Sequence, residues 1–188
     1  MDAWLGVPRF TCVGTVVSAP GVDGPPTHPY LRRVSTDGVV DLLDTYIENR
    51  WIVLPNHANN HGTVHGGNVM KWMDEIGAMS ATRFAGEDVV TARMDQVNFR
   101  RPVPVGDIAL ADAFVYGAGR TSIRVRVKVH REDPRTAETE LTTESYVVYV
   151  AIDEDHRPTT VPELSVSTEE GEVLQRDALA GENEPGEE

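Results

Sequence analysis

An α+β fold, with one long helix laid against a five-stranded antiparallel meander, is what the sequence predicts, on three observations. Residues 67–85 form a long stretch whose apolar residues recur at helical spacing. Strand-like segments flank it, one before and four after, joined by short turn-rich connections. No internal repeat is visible, and 188 residues suit one domain or one domain with tails.

The elements follow in order. Residues 1–39, beginning MDAWLGVPRF, are broken throughout by Pro and Gly and are predicted to be a poorly structured leader. One reading makes the leader upstream sequence ahead of a true start near Val39 or Val40. The other makes 12–17 a short strand on a sheet edge; the first is preferred. Residues 41–54, DLLDTYIENRWIVL, alternate loosely and end in a β-rich run before Pro55, which reads as the first strand. The loop 55–66 is rich in Asn, His and Gly. In 67–85, Val69, Met73, Ile76 and Ser80 share a face with Met70, Gly77 and Phe84 beside it, and Gly86 is the expected C-cap. Strands are predicted over 89–99, 107–117, 121–131 and 142–153. In the third of these Ile123, Val125, Val127 and Val129 alternate with Arg124, Arg126, Lys128 and His130, so the basic stripe is expected to be a solvated sheet face. The folded domain is thus placed at 40–160. Residues 161–188 carry nine acids against one Arg and are predicted to be an acidic disordered tail.

Composition narrows the function. A net charge of −13 argues against nucleic-acid binding, and no apolar run approaches the roughly 18 residues of a membrane span. Cys12 is the sole cysteine, which excludes a disulfide framework and a cysteine-built zinc site. No charged n-region precedes an apolar stretch, so no signal peptide is read and a cytoplasmic setting is expected. The basic residues are almost all Arg, with Lys71 and Lys128 the exceptions. With the acidic balance, that scarcity points to a halophilic surface, or else to a GC-rich genome.

Chemistry concentrates in Asn59-Asn60-His61-Gly62-Thr63-Val64-His65-Gly66-Gly67, which runs straight into the helix carrying Asp74. Paired glycines at a helix start permit close backbone approach and leave free N–H groups that stabilise a developing oxyanion; ordinary turn geometry explains them as well. Asp74 borders the apolar stripe, either as a solvated neighbour of Lys71 or as a base or nucleophile facing a cleft. His57, His61 and His65 recur every four residues, but the intervening glycine and the lack of a further acidic ligand argue against a metal.

NNHGTVHGGNVMKWMDEIGA, VVTARMDQVNFRRPVPVGD and GAGRTSIRVRVKV together resemble the acyl-CoA thioesterase (acyl-CoA hydrolase) family of hotdog folds, over roughly residues 41–160. The resemblance implies a helix wrapped by an antiparallel sheet. It also implies hydrolysis of acyl-CoA to free acid and CoA with no metal or cofactor, CoA being part of the substrate. A homodimer, assembled further into a tetramer or hexamer, is implied as well. Carried onto this chain, the loop polar residue falls on Asn59, with Asn60 the alternative. The oxyanion amide falls on Gly66 or Gly67, and the helix carboxylate on Asp74. His65, Arg101, Gly119, Arg120, Thr121 and Ser122 fall where the family meets substrate or CoA. The acyl chain is expected to run along the helix between subunits, past small residues such as Gly77 and Ala81. Two rivals remain: a hotdog hydratase or dehydratase recruiting His61 or His65, and a non-catalytic acyl-CoA-binding protein. Gly66 and Asp74 lie eight residues apart on one helix, about 12 Å at 1.5 Å per residue, so two subunits are expected to share each site.

Overall fold

Alternation along the strands decides which face of the sheet meets the helix. The computed structural model describes residues 38–182. They form β1 (Val39–Asp41), β2 (Ile47–Ile52), α1 (Gly66–Ala85), β3 (Asp88–Met94), β4 (Ile108–Ala118), β5 (Ser122–Glu132), β6 (Thr139–Ile152), β7 (Glu163–Ser165) and α2 (Glu169–Glu182). Five strands make one antiparallel sheet in the order β2-β4-β5-β6-β3. Its inner face carries Ala109, Ala111, Ala113 and Val115 from β4, the predicted valine series from β5, and Val147, Tyr149 and Ala151 from β6. Against these α1 buries Val69, Trp72, Met73, Ile76, Ala81 and Phe84. The alanines of β4 leave room for so bulky a helix face at core density. The predicted α+β wrap is therefore the observed one. Gly86, at φ 70°, ends α1 as expected. Met70, placed beside the apolar face, is exposed instead, and Trp72 takes the interior, stacked on Trp51 at 5.2 Å.

Four expectations need correction. The strand predicted over 89–99 pairs regularly only to Met94, after which single bonds from Asp95 N to Tyr146 O and from Arg100 N to Thr142 O tether an extended strap. The 121–131 stripe is not a solvated face. Arg126 is 8% exposed and donates to Glu144 at 3.1 Å, while Arg124 reaches Glu182 at 3.0 Å. Burial there also pushes the Asp112 carboxyl up to about 6, against the pull of Lys128 and Arg126. The fold also outruns 40–160, because Val39 already belongs to β1, which pairs in parallel with β7. The rest of the predicted leader lies outside the described residues.

The tail is the largest correction. Residues 163–182 are ordered into β7 and α2, and α2 buries Gly171 and Ala178. Ala178 joins Leu42, Phe114, Tyr116 and Tyr146 in a second core on the outer face of the sheet. Thr168 starts the helix, its Oγ1 accepting from Gly171 N at 3.0 Å. Glu169, Glu170 and Glu172, which suggested disorder, sit in the first turn, where the helix dipole favours carboxylates. A chain cut after residue 160 uncovers that second core, and its melting temperature is expected to fall by about 10 °C for a few kcal/mol of lost burial. Calorimetry of the truncated and full chains checks this; equal melting temperatures would show that the segment contributes nothing.

Candidate active site

Backbone hydrogen bonds shape the loop before α1 first. The His57 carbonyl accepts from His65 N at 2.8 Å and from Asn68 Nδ2 at 3.0 Å, tying the loop's start to the helix entrance. Between them Asn59 folds back on Thr63. Its Oδ1 accepts from His61 N at 2.9 Å and Thr63 N at 3.3 Å, and its Nδ2 donates to Thr63 Oγ1 at 3.1 Å. The amide keeps one N–H uncommitted. Asn59, Gly66, Phe99 and Arg101 line one cleft of about 360 Å³, and Asn60 is not part of its wall. Of the two asparagines, Asn59 is thus the one brought to the cleft. The N-cap of α1 is His65, whose Nδ1 accepts from Gly67 N at 3.0 Å. The Gly66 N–H finds no acceptor among the described residues.

Asp74 sits two turns further on, half-buried, and its carboxylate is held from the sheet. Thr91 Oγ1 donates to Oδ1 at 2.6 Å. Tyr149 Oη donates to the Asp74 carbonyl at 3.0 Å and lies 3.5 Å from Oδ1. Thr91 and Tyr149 are paired across β3 and β6, and the register shift that begins at Thr91 marks a bulge, a device that re-aims side chains. Burial, and then the Asp74 carboxylate, push the Tyr149 phenol above its usual range, so it remains a donor. Lys71 pairs with Glu75 at 3.6 Å, not with Asp74. Oδ2 is the carboxylate oxygen without a partner among the described residues. Thr91, which the sequence does not single out, is the residue that holds this carboxylate from the sheet; its signal is a lone hydroxyl in the strand DVVTARM. Gly77 and Ala81, expected beside an acyl chain between subunits, offer it no open space within this chain. A Cβ at Gly77 would overlap the Tyr149 hydroxyl and come 3.1 Å from the ring carbon bearing it, and Ala81 is fully buried.

The remaining predicted residues divide by location. Arg101 lines the cleft with Asn59 and Gly66, and pairs with Glu140 at 2.8 Å. Gly119, Arg120, Thr121 and Ser122 make the β4–β5 turn, closed by Gly119 N donating to Ser122 O at 2.8 Å. That turn lies at Asp74's end of the sheet, because Ile123 faces Tyr149 and Tyr149 faces Thr91 in register. The predicted site is therefore split within one chain. Among the described residues no group of His, Cys, Asp and Glu could hold a metal ion. His57 Nδ1 accepts from Leu54 N and His65 Nδ1 from Gly67 N, so those imidazoles do not converge.

A helix wrapped by an antiparallel sheet, with a free amide at its start and a hydroxyl-held carboxylate along it, defines a hotdog enzyme of thioester chemistry. The thioesterase superfamily model matches residues 61–138. An uncharacterized acyl-CoA thioester hydrolase of Bacillus subtilis, YkhA, is 37% identical over 132 residues, 70% of this chain and 77% of that protein. An apo-hexameric acyl-CoA thioesterase of known crystal structure is 39% identical, covers 76% of this chain and 91% of its own, and superposes with a TM-score of 0.70. The Staphylococcus aureus acyl-CoA hydrolase, solved with butyryl coenzyme A, coenzyme A and coenzyme A disulfide, is 31% identical, covers 76% and 87%, and has a TM-score of 0.70. The chain belongs to the hotdog-fold acyl-CoA thioesterase family, and it is a thioester hydrolase. Structures of the S. aureus hydrolase include single replacements of an Asn, an Asp and a Thr by Ala, spaced along its chain as Asn59, Asp74 and Thr91 are spaced here.

Proposed function

We propose that this enzyme hydrolyses acyl-CoA to free acid and CoA without a metal or cofactor, at sites shared between the two subunits of a homodimer. The observation that carries the reading is the division of the site: Asn59 and Gly66 open on one cleft, while Asp74 stands elsewhere with Thr91 and Tyr149. In the proposed dimer the Gly66 N–H, helped by the helix dipole, and the free N–H of Asn59 bind the thioester oxygen. Asp74 of the partner subunit supplies the carboxylate. Held through Oδ1, it takes a proton from water with Oδ2 as the hydroxide adds to the thioester carbon, or attacks that carbon directly to give an anhydride that water then hydrolyses. In both the C–S bond breaks and CoA leaves, protonated to the thiol by the proton that water gives up. The β4–β5 turn, with Arg120, then lies beside the CoA portion. What supports pairing of two copies is β3, an edge strand with unpaired backbone groups on one side, whose Val90 is 45% exposed. The hexameric relatives support assembly of such dimers into hexamers.

Thiol release from a panel of acyl-CoAs of increasing chain length tests the activity; no release from any member removes it. The hydratase reading loses His65, one of its two candidate histidines. An imidazole accepting at Nδ1 carries its proton on Nε2 and cannot take another there while neutral. A cytoplasmic, halophilic setting is also part of the proposal, supported by one cysteine, 30 acids and two lysines. Melts in rising KCl test the halophilic part, which fails if the melting temperature does not rise with salt.

A further inference from the structure

The first turn of α1 offers four amides, and one residue deals with three of them. Asn68 N and Val69 N donate to the His65 carbonyl, at 2.8 and 3.3 Å, and Gly67 N donates to His65 Nδ1 at 3.0 Å. Only Gly66 N is left over, and Gly66 is the member of the pair that lines the cleft with Asn59. His65 is itself fastened, its own N–H donating to the His57 carbonyl at 2.8 Å. The fit at Gly67 is close: a Cβ there would stand 3.2 Å from Nδ1. An imidazole is an unusual choice where Ser, Thr, Asp and Asn predominate as caps.

We infer that His65 is a positioning residue for the hydrolysis: it commits the Gly67 amide to the cap and leaves Gly66 as the single backbone donor to the thioester oxygen. The inference rests on the functional reading above. It replaces the substrate or CoA contact that the sequence suggested for His65, and it separates the roles of the two glycines. Without the cap, the Gly67 N–H turns to solvent and the helix start frays. The Gly66 donor then loses the fixed aim on which oxyanion stabilisation depends.

Three variants test this: His65→Ala, which removes the cap, and His65→Asn and His65→Ser, which restore one with different chemistry. For His65→Ala, kcat on butyryl-CoA is expected to fall about tenfold, with KM within about twofold, as for a loosened rather than deleted donor. The two capping variants are expected to recover most of that loss. Amide hydrogen exchange gives a readout independent of turnover: Gly67 is expected to exchange slowly and Gly66 fast in the wild type, with Gly67 losing protection only in His65→Ala. Wild-type kcat in His65→Ala overturns the inference, and so does an effect confined to KM. Equal impairment in His65→Asn and His65→Ser overturns it too, since that would mean the imidazole itself touches substrate. If the wild type hydrolyses no acyl-CoA, the functional reading fails by itself, while equal exchange at Gly66 and Gly67 would still refute the capping division.

Discussion

Co-expressed Asn59→Ala and Asp74→Ala subunits are expected to reach about a quarter of wild-type activity, although either variant alone is severely impaired. The geometry sets both halves of that result. Removing an oxyanion donor costs about 10²–10³ in rate, and removing a general base costs about 10²–10⁴. Each homodimer lacks one of the two groups in both its sites. In a mixed dimer the Asn59→Ala subunit still brings Asp74, and the Asp74→Ala subunit still brings Asn59. One of its two sites is therefore whole. Random pairing makes about half the dimers mixed, so about a quarter of all sites are intact if sites act independently. Differently tagged subunits allow the mixed species to be purified and assayed. Mixed dimers no more active than their parents would place both groups within one chain, where eight helical residues, about 12 Å, part Gly66 from Asp74.

Much of this arrangement was legible in the sequence, for physical reasons. A helix period and a strand period cannot be confused over 19 and 11 residues, so α1 and β5 were found within a residue or so of their ends. The Gly-Gly helix start and Asp74 were visible because backbone access and a carboxylate on an apolar border are rare local features. What escaped depends on contacts distant in the chain. Thr91 reaches Asp74 because the register of β3 on β6 sets it opposite Tyr149, just before a bulge, and no local pattern announces that pairing. Gly77 looked like space for an acyl chain, but Tyr149, 72 positions later, fills it. The acidic segment 163–182 runs into further acidic residues, and the composition of the whole stretch hides its pattern. Taken alone, its Thr168 start, its early carboxylates and its Leu174 and Ala178 one turn apart describe a helix with one apolar side.

Gly77→Ala is expected to lower both stability and turnover, and the balance of two opposed effects decides the sign. An alanine in a helix interior is favoured over glycine by about 1 kcal/mol. Here, however, the new methyl overlaps the hydroxyl of Tyr149, a fully buried side chain on the sheet's inner face. Overpacking of that kind costs about 1–3 kcal/mol, and an aromatic ring locked among β-strands has little freedom to relieve it. A net loss of about 1 kcal/mol follows, or 2–4 °C for a domain of this size. The catalytic cost is larger, because the displaced phenol leaves the Asp74 carbonyl and moves against Thr91, its partner across the strands. A carboxylate shifted by a fraction of an ångström no longer meets the thioester carbon correctly, and about a tenfold fall in kcat is expected, since a full 1 Å error can cost about 10²-fold. Tyr149→Phe removes the clashing oxygen, so the double variant Gly77→Ala/Tyr149→Phe is expected to melt above Gly77→Ala alone. Melting curves and kcat for the three proteins check this. A Gly77→Ala enzyme as stable and fast as the wild type, or one not restabilised by Tyr149→Phe, would show that the notch at Gly77 does not position Asp74.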